Sequence, residues 1–62
     1  MKPGDLITGK RHKAQIRLIV NEYYKKSGDG LPPSRVFKII EANGNIEEWG
    51  ADNVERYWGV IQ

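Results

Sequence analysis

The sequence predicts an all-β domain, a single small barrel of about five strands with a short helical turn before the last of them. Three observations lead there. An Asn43-Gly44 turn signal lies between two segments that pair well as antiparallel strands, the apolar positions are rich in β-branched and aromatic residues, and a stretch with two Gly and two Pro within six residues separates this hairpin from the first half of the chain.

The hairpin runs from Val36 to Trp49, and its register follows from the side chains. A three-residue loop Ala42-Asn43-Gly44, a type I turn with Gly44 left-handed in a bulge, sets Ile40 opposite Ile46, Lys38 opposite Glu48 and Phe37 opposite Trp49. These are an aliphatic, a charged and an aromatic pair, with Glu48 expected to pair with Lys38. A two-residue Asn43-Gly44 loop would oppose Ile40 to Glu47 and Lys38 to Trp49, so the longer loop is preferred.

Upstream, Pro3-Gly4 reads as a turn and Leu6-Ile7-Thr8 as a short strand closed by Gly9. The unit from Lys10 to Lys26 reads two ways. As a strand, Ile16, Leu18 and Val20 alternate with Gln15, Arg17, Ile19 and Asn21; as a helix, Ile16, Ile19, Val20, Tyr23 and Tyr24 form one stripe. The same conflict recurs at Ser34, which could cap a helix that ends at Gly44. Phe37 stands where a capping box needs Glu or Gln, and two helices would make the three cross-strand pairs accidental, so strands are preferred. Residues 27–34 form a loop on either reading. Beyond the hairpin, Gly50-Ala51-Asp52-Asn53 reads as a turn with a helical twist through Val54-Glu55, and Tyr57-Trp58-Gly59-Val60-Ile61 as the last strand.

At 62 residues the chain is expected to be one domain, of a size that buries only about 60% of its unfolded surface. With no Cys and one His it has neither disulfides nor a zinc site to reinforce it, which leaves good packing, oligomerisation or docking onto a partner. No apolar run approaches about 18 residues and no signal-peptide core is present, so a cytoplasmic protein without a membrane partner is expected. The net charge of +2 is uneven: residues 1–31 carry seven Lys/Arg against three Asp/Glu, or +4, and residues 32–62 three against five, or −2. That polarity can steer an anionic partner towards one end, but it is far weaker than the basic stripe of a dedicated DNA binder.

The order of parts resembles the small SH3-like β-barrel proteins encoded by tailed bacteriophages. The resemblance is carried by the opening Gly4-Asp5-Leu6-Ile7, a long second strand and a polar loop, then the hairpin from Phe37 to Trp49, then Asp52-Asn53-Val54-Glu55 in a helical turn before a closing strand. Glu41 stands where an aromatic is common in such proteins, and Arg56-Tyr57-Trp58 lengthens the end. The resemblance implies an SH3-like barrel of phage origin, acting in the virion or the host cytoplasm, and implies no activity.

Catalytic chemistry finds no footing in the sequence. Gly4 to Arg11 matches the glycine and lysine spacing of a phosphate loop, but Arg11 replaces the magnesium-ligating Ser or Thr and the chain is too short for the α/β sheet that loop needs. His12 has no metal-spaced partner, and Glu47 and Glu48 point to opposite faces of a strand. No catalytic, cofactor or metal residue and no small-molecule substrate is assigned. What remains is surface chemistry. In each of the adjacent pairs Tyr23-Tyr24 and Tyr57-Trp58, one member of an extended pair must face away from the core, which makes these four the candidate partner-binding residues. Lys10, Arg11 and Lys13 form a basic cluster able to contact phosphates. The expected function is a non-enzymatic interaction module that binds a protein or a second copy of itself; the alternative is a nucleic-acid-binding barrel using the basic cluster and an exposed aromatic.

Overall fold

The computed structural model describes residues 1–26 and 28–61. Five strands and one helix follow in chain order: β1 (Leu6–Gly9), β2 (Ile16–Lys25), β3 (Ser34–Glu41), β4 (Ile46–Gly50), α1 (Ala51–Tyr57) and β5 (Trp58–Val60). All neighbours are antiparallel, in the order β4-β3-β2-β1-β5. This is the all-β arrangement of five strands expected from the sequence, with the helical turn before the last strand. The two edge strands, β4 and β5, meet through side chains: the rings of Trp49 and Trp58 are 5.2 Å apart between centroids and tilted by 50°.

The derived hairpin register holds residue for residue, with Phe37 opposite Trp49, Lys38 opposite Glu48 and Ile40 opposite Ile46. The Gly44 N–H donates to the Glu41 carbonyl at 2.9 Å and Gly44 has φ +90°, the left-handed position a Cβ disfavours. The Asn43 side chain accepts from the Asn45 N–H at 3.0 Å, the local bond that makes Asn a turn residue. Ser34 opens a strand and does not cap a helix.

Residues 10–26 resolve into a loop followed by a ten-residue strand, with one correction to the expected alternation. Ile16 and Leu18 do not face the core; Ile19 does. The register sets Ile16 opposite Thr8 and Leu18 opposite Leu6 and Ile40 on the outer face, and beyond Ile19 a β-bulge leaves Val20 without a partner on β3. The extra residue lets Ile19 and Glu22, three apart, both lie on the side that α1 covers.

The last element also departs from expectation. Tyr57 does not begin a strand; it ends a seven-residue helix, and β5 starts at Trp58. Gly50, expected in a turn, is the helix N-cap, and Ala51 to Asn53 already belong to the helix. Asp52 in its first turn and Arg56 in its last match the helix dipole. Ala51 and Val54, one turn apart, face the sheet and are buried there. So short a helix is not stable alone, and this contact holds it.

The core lies between α1 and the inner face of the sheet: Ile7, Ile19, Phe37, Ile39, Ala51 and Val54 are buried, with Met1, Trp49 and Trp58 packed around them. Truncating Phe37 to Ala removes the largest of these side chains at about 3–5 kcal/mol, against a total of roughly 3–9 kcal/mol for a domain this size. Phe37→Ala is therefore expected to broaden or abolish the cooperative thermal transition. Gly44→Ala, which meets no neighbouring atom within 4 Å, carries only the backbone penalty. It should destabilise by about 1 kcal/mol in a denaturant titration without changing the slope.

Candidate binding cleft

Loop residues 10–15 fold back on the end of β1, and Gly9 suits this close approach, because a Cβ would stand 3.1 Å from the His12 carbonyl oxygen and the loop would have to give by a few tenths of an ångström. Thr8 Oγ1 lies 2.8 Å from the Lys13 carbonyl and 2.9 Å from that of Gln15, so one hydroxyl proton serves both ends of the turn. The Lys10 N–H donates to the Tyr57 carbonyl at 2.9 Å and Lys10 Nζ to the Glu55 carbonyl at 3.4 Å, tying the loop to the C-terminal end of α1. These bonds shape a cleft of about 340 Å³ lined by Lys10, Arg11 and His12 on the loop side and by Arg56, Tyr57 and Trp58 on the other. A second hollow of about 280 Å³ lies beside it, bounded by Trp49, Asn53 and Val54 and sharing Tyr57 and Trp58. Tyr57, 59% exposed, is common to both walls.

The structure thus brings together Lys10, Arg11, Tyr57 and Trp58 from the sequence candidates. Lys13 is exposed on the same loop but is not part of the lining. Tyr23 and Tyr24 sit elsewhere, opposite Val36 and Arg35 at the far end of β2. Tyr23 is half-buried; burial pushes its phenol above the ordinary value, and the neighbouring Glu48 carboxylate adds to the shift. Tyr24 is exposed and lines neither of the two clefts. Trp58 is half-buried against the core with the Arg17 guanidinium 5.7 Å from its ring centroid, so it forms the floor of the site and Tyr57 its exposed element. His12, Gln15 and Arg56 were not anticipated in the site. Arg56 precedes Tyr57, which the sequence reading makes the first residue of a strand; the helix that ends at Tyr57 is what brings Arg56 to the cleft.

The charges explain why this end of the molecule is positive. Asp5 pairs with Lys2, Glu41 with Arg17, Glu48 with Lys25, and both Glu22 and Glu55 with Arg35. Glu48 was expected to pair with Lys38, its cross-strand partner, but the ion pair forms with Lys25 at 3.2 Å, and Lys38 contributes only at longer range. Arg11, Lys13 and Arg56 take part in no ion pair among the described residues. Among the described residues no group of three His, Cys, Asp or Glu is placed to hold a metal ion, and no helix is long and apolar enough to cross a membrane.

One arginine holds the helix in register with the sheet. Arg35 Nε donates to Glu22 at 2.7 Å, and its two terminal nitrogens grip both oxygens of Glu55 at 3.0 and 2.8 Å, with the guanidinium 5.1 Å from the Phe37 ring centroid. Its hydrogen bonds to Glu55 and then to Glu22 raise the Arg35 pKa, and the same contact with Arg35 lowers that of Glu55. The backbone hydrogen bond from Lys2 likewise lowers Asp5. No family model matches the chain, and no curated protein or solved structure matches it either.

Because Glu55, Glu48 and Asp5 are depressed in the folded state, their stabilisation is complete above their ordinary values near 4 and is lost as the pH falls through the folded-state values. The melting temperature should hold steady from pH 7 to about pH 5 and then decline. Arg35→Gln should lower it at pH 7 and shrink the acid-side decline; an unchanged melting curve would contradict the role given to Arg35.

Proposed function

We propose that this protein is a non-enzymatic interaction module whose two adjoining clefts bind an extended, acidic segment of a partner protein across Tyr57. One observation carries the reading: an exposed tyrosine common to two hollows, with Arg11 and Arg56 in the lining and Lys13 on the same loop, none of them in an ion pair among the described residues. An extended chain advances about 3.1–3.4 Å per residue, so side chains two or three positions apart can enter the two hollows while the backbone crosses the tyrosine ring. A proline or aliphatic residue suits the carbon-rich cleft over Trp58, as in other aromatic-lined peptide sites. Acidic residues flanking it meet the loop and helix cations, which speeds encounter and fixes direction more than it adds affinity. The likeness to phage-encoded barrels supports a virion component or a modulator of a host protein in the host cytoplasm.

A second reading draws on the same residues, with a base stacked on Tyr57 and phosphates at Lys10, Arg11, Lys13 and Arg56. It ranks lower because about four cations in one short patch give a log-log salt slope of only about −3 on a single strand, too little for tight binding at physiological salt.

The test is a chemical-shift titration with capped peptides that alternate Pro with Asp or Glu, run beside a mixed-sequence DNA oligonucleotide. Shifts should gather on Gly9, Tyr57 and Trp58. Tyr57→Ala should weaken peptide binding at least tenfold, a cost of about 1.4 kcal/mol or more, typical of an interface anchor. Reversing Arg11, Lys13 and Arg56 to Glu should mainly slow association and invert its salt dependence, because salt then screens a repulsion. Trp58 is a poor probe because it also supports the core. Salt-resistant oligonucleotide binding that the triple reversal abolishes, with no peptide response, would replace this reading with the second.

A further inference from the structure

The face of the sheet turned away from α1 is not that of an antiparallel sheet open to water. Such a face normally alternates to polar residues. Here Leu6, Leu18, Ile40 and Ile46 are direct cross-strand partners on β1, β2, β3 and β4, an unbroken aliphatic row. Ile61 extends it to a fifth strand position, since its N–H donates to the Leu6 carbonyl at 2.9 Å. Ile16, two residues before Leu18, adds to the same face. Four of these side chains remain wide open: Leu6 47%, Ile16 48%, Ile46 57% and Ile61 41% exposed. As many large aliphatic side chains stand wide open here as the core buries, namely Ile7, Ile19, Ile39 and Val54.

We infer that this outer face is where a second copy of the chain docks, making the protein a self-associating dimer through the row centred on Leu18. Three considerations select a second copy. The row carries no charge, donor or acceptor, so an identical row covers it without stranding a polar group, whereas a polar partner would strand its own. The patch amounts to roughly 400–500 Å² per copy, and two such patches with their polar rims reach about 1,000 Å², the lower bound for a specific interface. Third, the chain is small and has no Cys for the disulfides that usually reinforce so few residues, and burying this row supplies further apolar contact. Trp58 lies opposite Gly9 on the inner side of the sheet, so association through the outer face leaves the cleft open in both copies. The dimer does not depend on what the cleft binds.

Sedimentation velocity over a wide concentration range, from low micromolar to near millimolar, is the experiment. The wild-type chain should shift reversibly from one to two monomer masses, and Ile46→Lys with Leu6→Lys should stay monomeric throughout while retaining the wild-type circular dichroism spectrum. Tyr24→Lys, exposed at the far end of β2, should dimerise as the wild type does. Should the double variant fail to fold, dilution of the wild type followed by methyl NMR serves instead, with shifts expected on Leu6, Leu18, Ile40 and Ile46. A wild type that stays monomeric near millimolar concentration overturns the inference, as does a dimer that survives the double substitution or dilution shifts confined to other residues.

Discussion

The contact between α1 and the inner face of the sheet is the constraint on which the rest of this molecule depends. A five-stranded antiparallel sheet has two faces, and this one shields only one of them with another element. Two small side chains, Ala51 and Val54, let a seven-residue helix approach Phe37, Ile19, Ile39 and Ile7 closely enough to exclude water. Without the helix these residues would face solvent and the sheet would have no dry side at all. Because the helix is too short to persist alone, sheet and helix must form together.

Arg35 makes that contact directional. Burial of Ala51 and Val54 alone would tolerate some sliding, but a guanidinium that grips both oxygens of Glu55 and also holds Glu22 on β2 fixes the helix along and across the sheet. The consequence is felt one residue beyond the pair. Arg56, Tyr57 and the turn into Trp58 are delivered against the Lys10–Gln15 loop, where the Lys10 N–H meets the Tyr57 carbonyl. The clefts are therefore a product of core packing, and the aromatic at their border is held by a helix end, not by a strand.

The sequence made the hairpin legible because two independent signals agreed there: the turn chemistry of Asn43-Gly44 and the pairing of Phe37 with Trp49. It was ambiguous where one signal stood alone. The periodicity of Ile16 to Tyr24 fits either element, and the bulge at Val20 hid which residues face inward, since a bulge shifts the alternation without leaving a mark in composition. The ends of α1 were missed for a different reason. Its apolar face consists of Ala51 and Val54 only, too few to reveal a period, while Tyr57-Trp58 has strand-like composition; the break between them is imposed by tertiary contacts. For the same reason Tyr57 and Trp58 were legible as candidates while their division into exposed element and floor was not, and the local residues gave no hint that a loop near residue 11 would meet a helix end near residue 56.

Native-state hydrogen exchange tests this account most directly. If the helix and the inner sheet face are one cooperative unit, the amide of Trp58, which donates to the Val54 carbonyl, should exchange only through global unfolding, with the same free energy and denaturant dependence as the core amides of Ile19 and Ile39. Exchange of Trp58 at a distinctly lower free energy, with little denaturant dependence while Ile19 and Ile39 stay protected, would show a helix that detaches from an intact sheet and would contradict it.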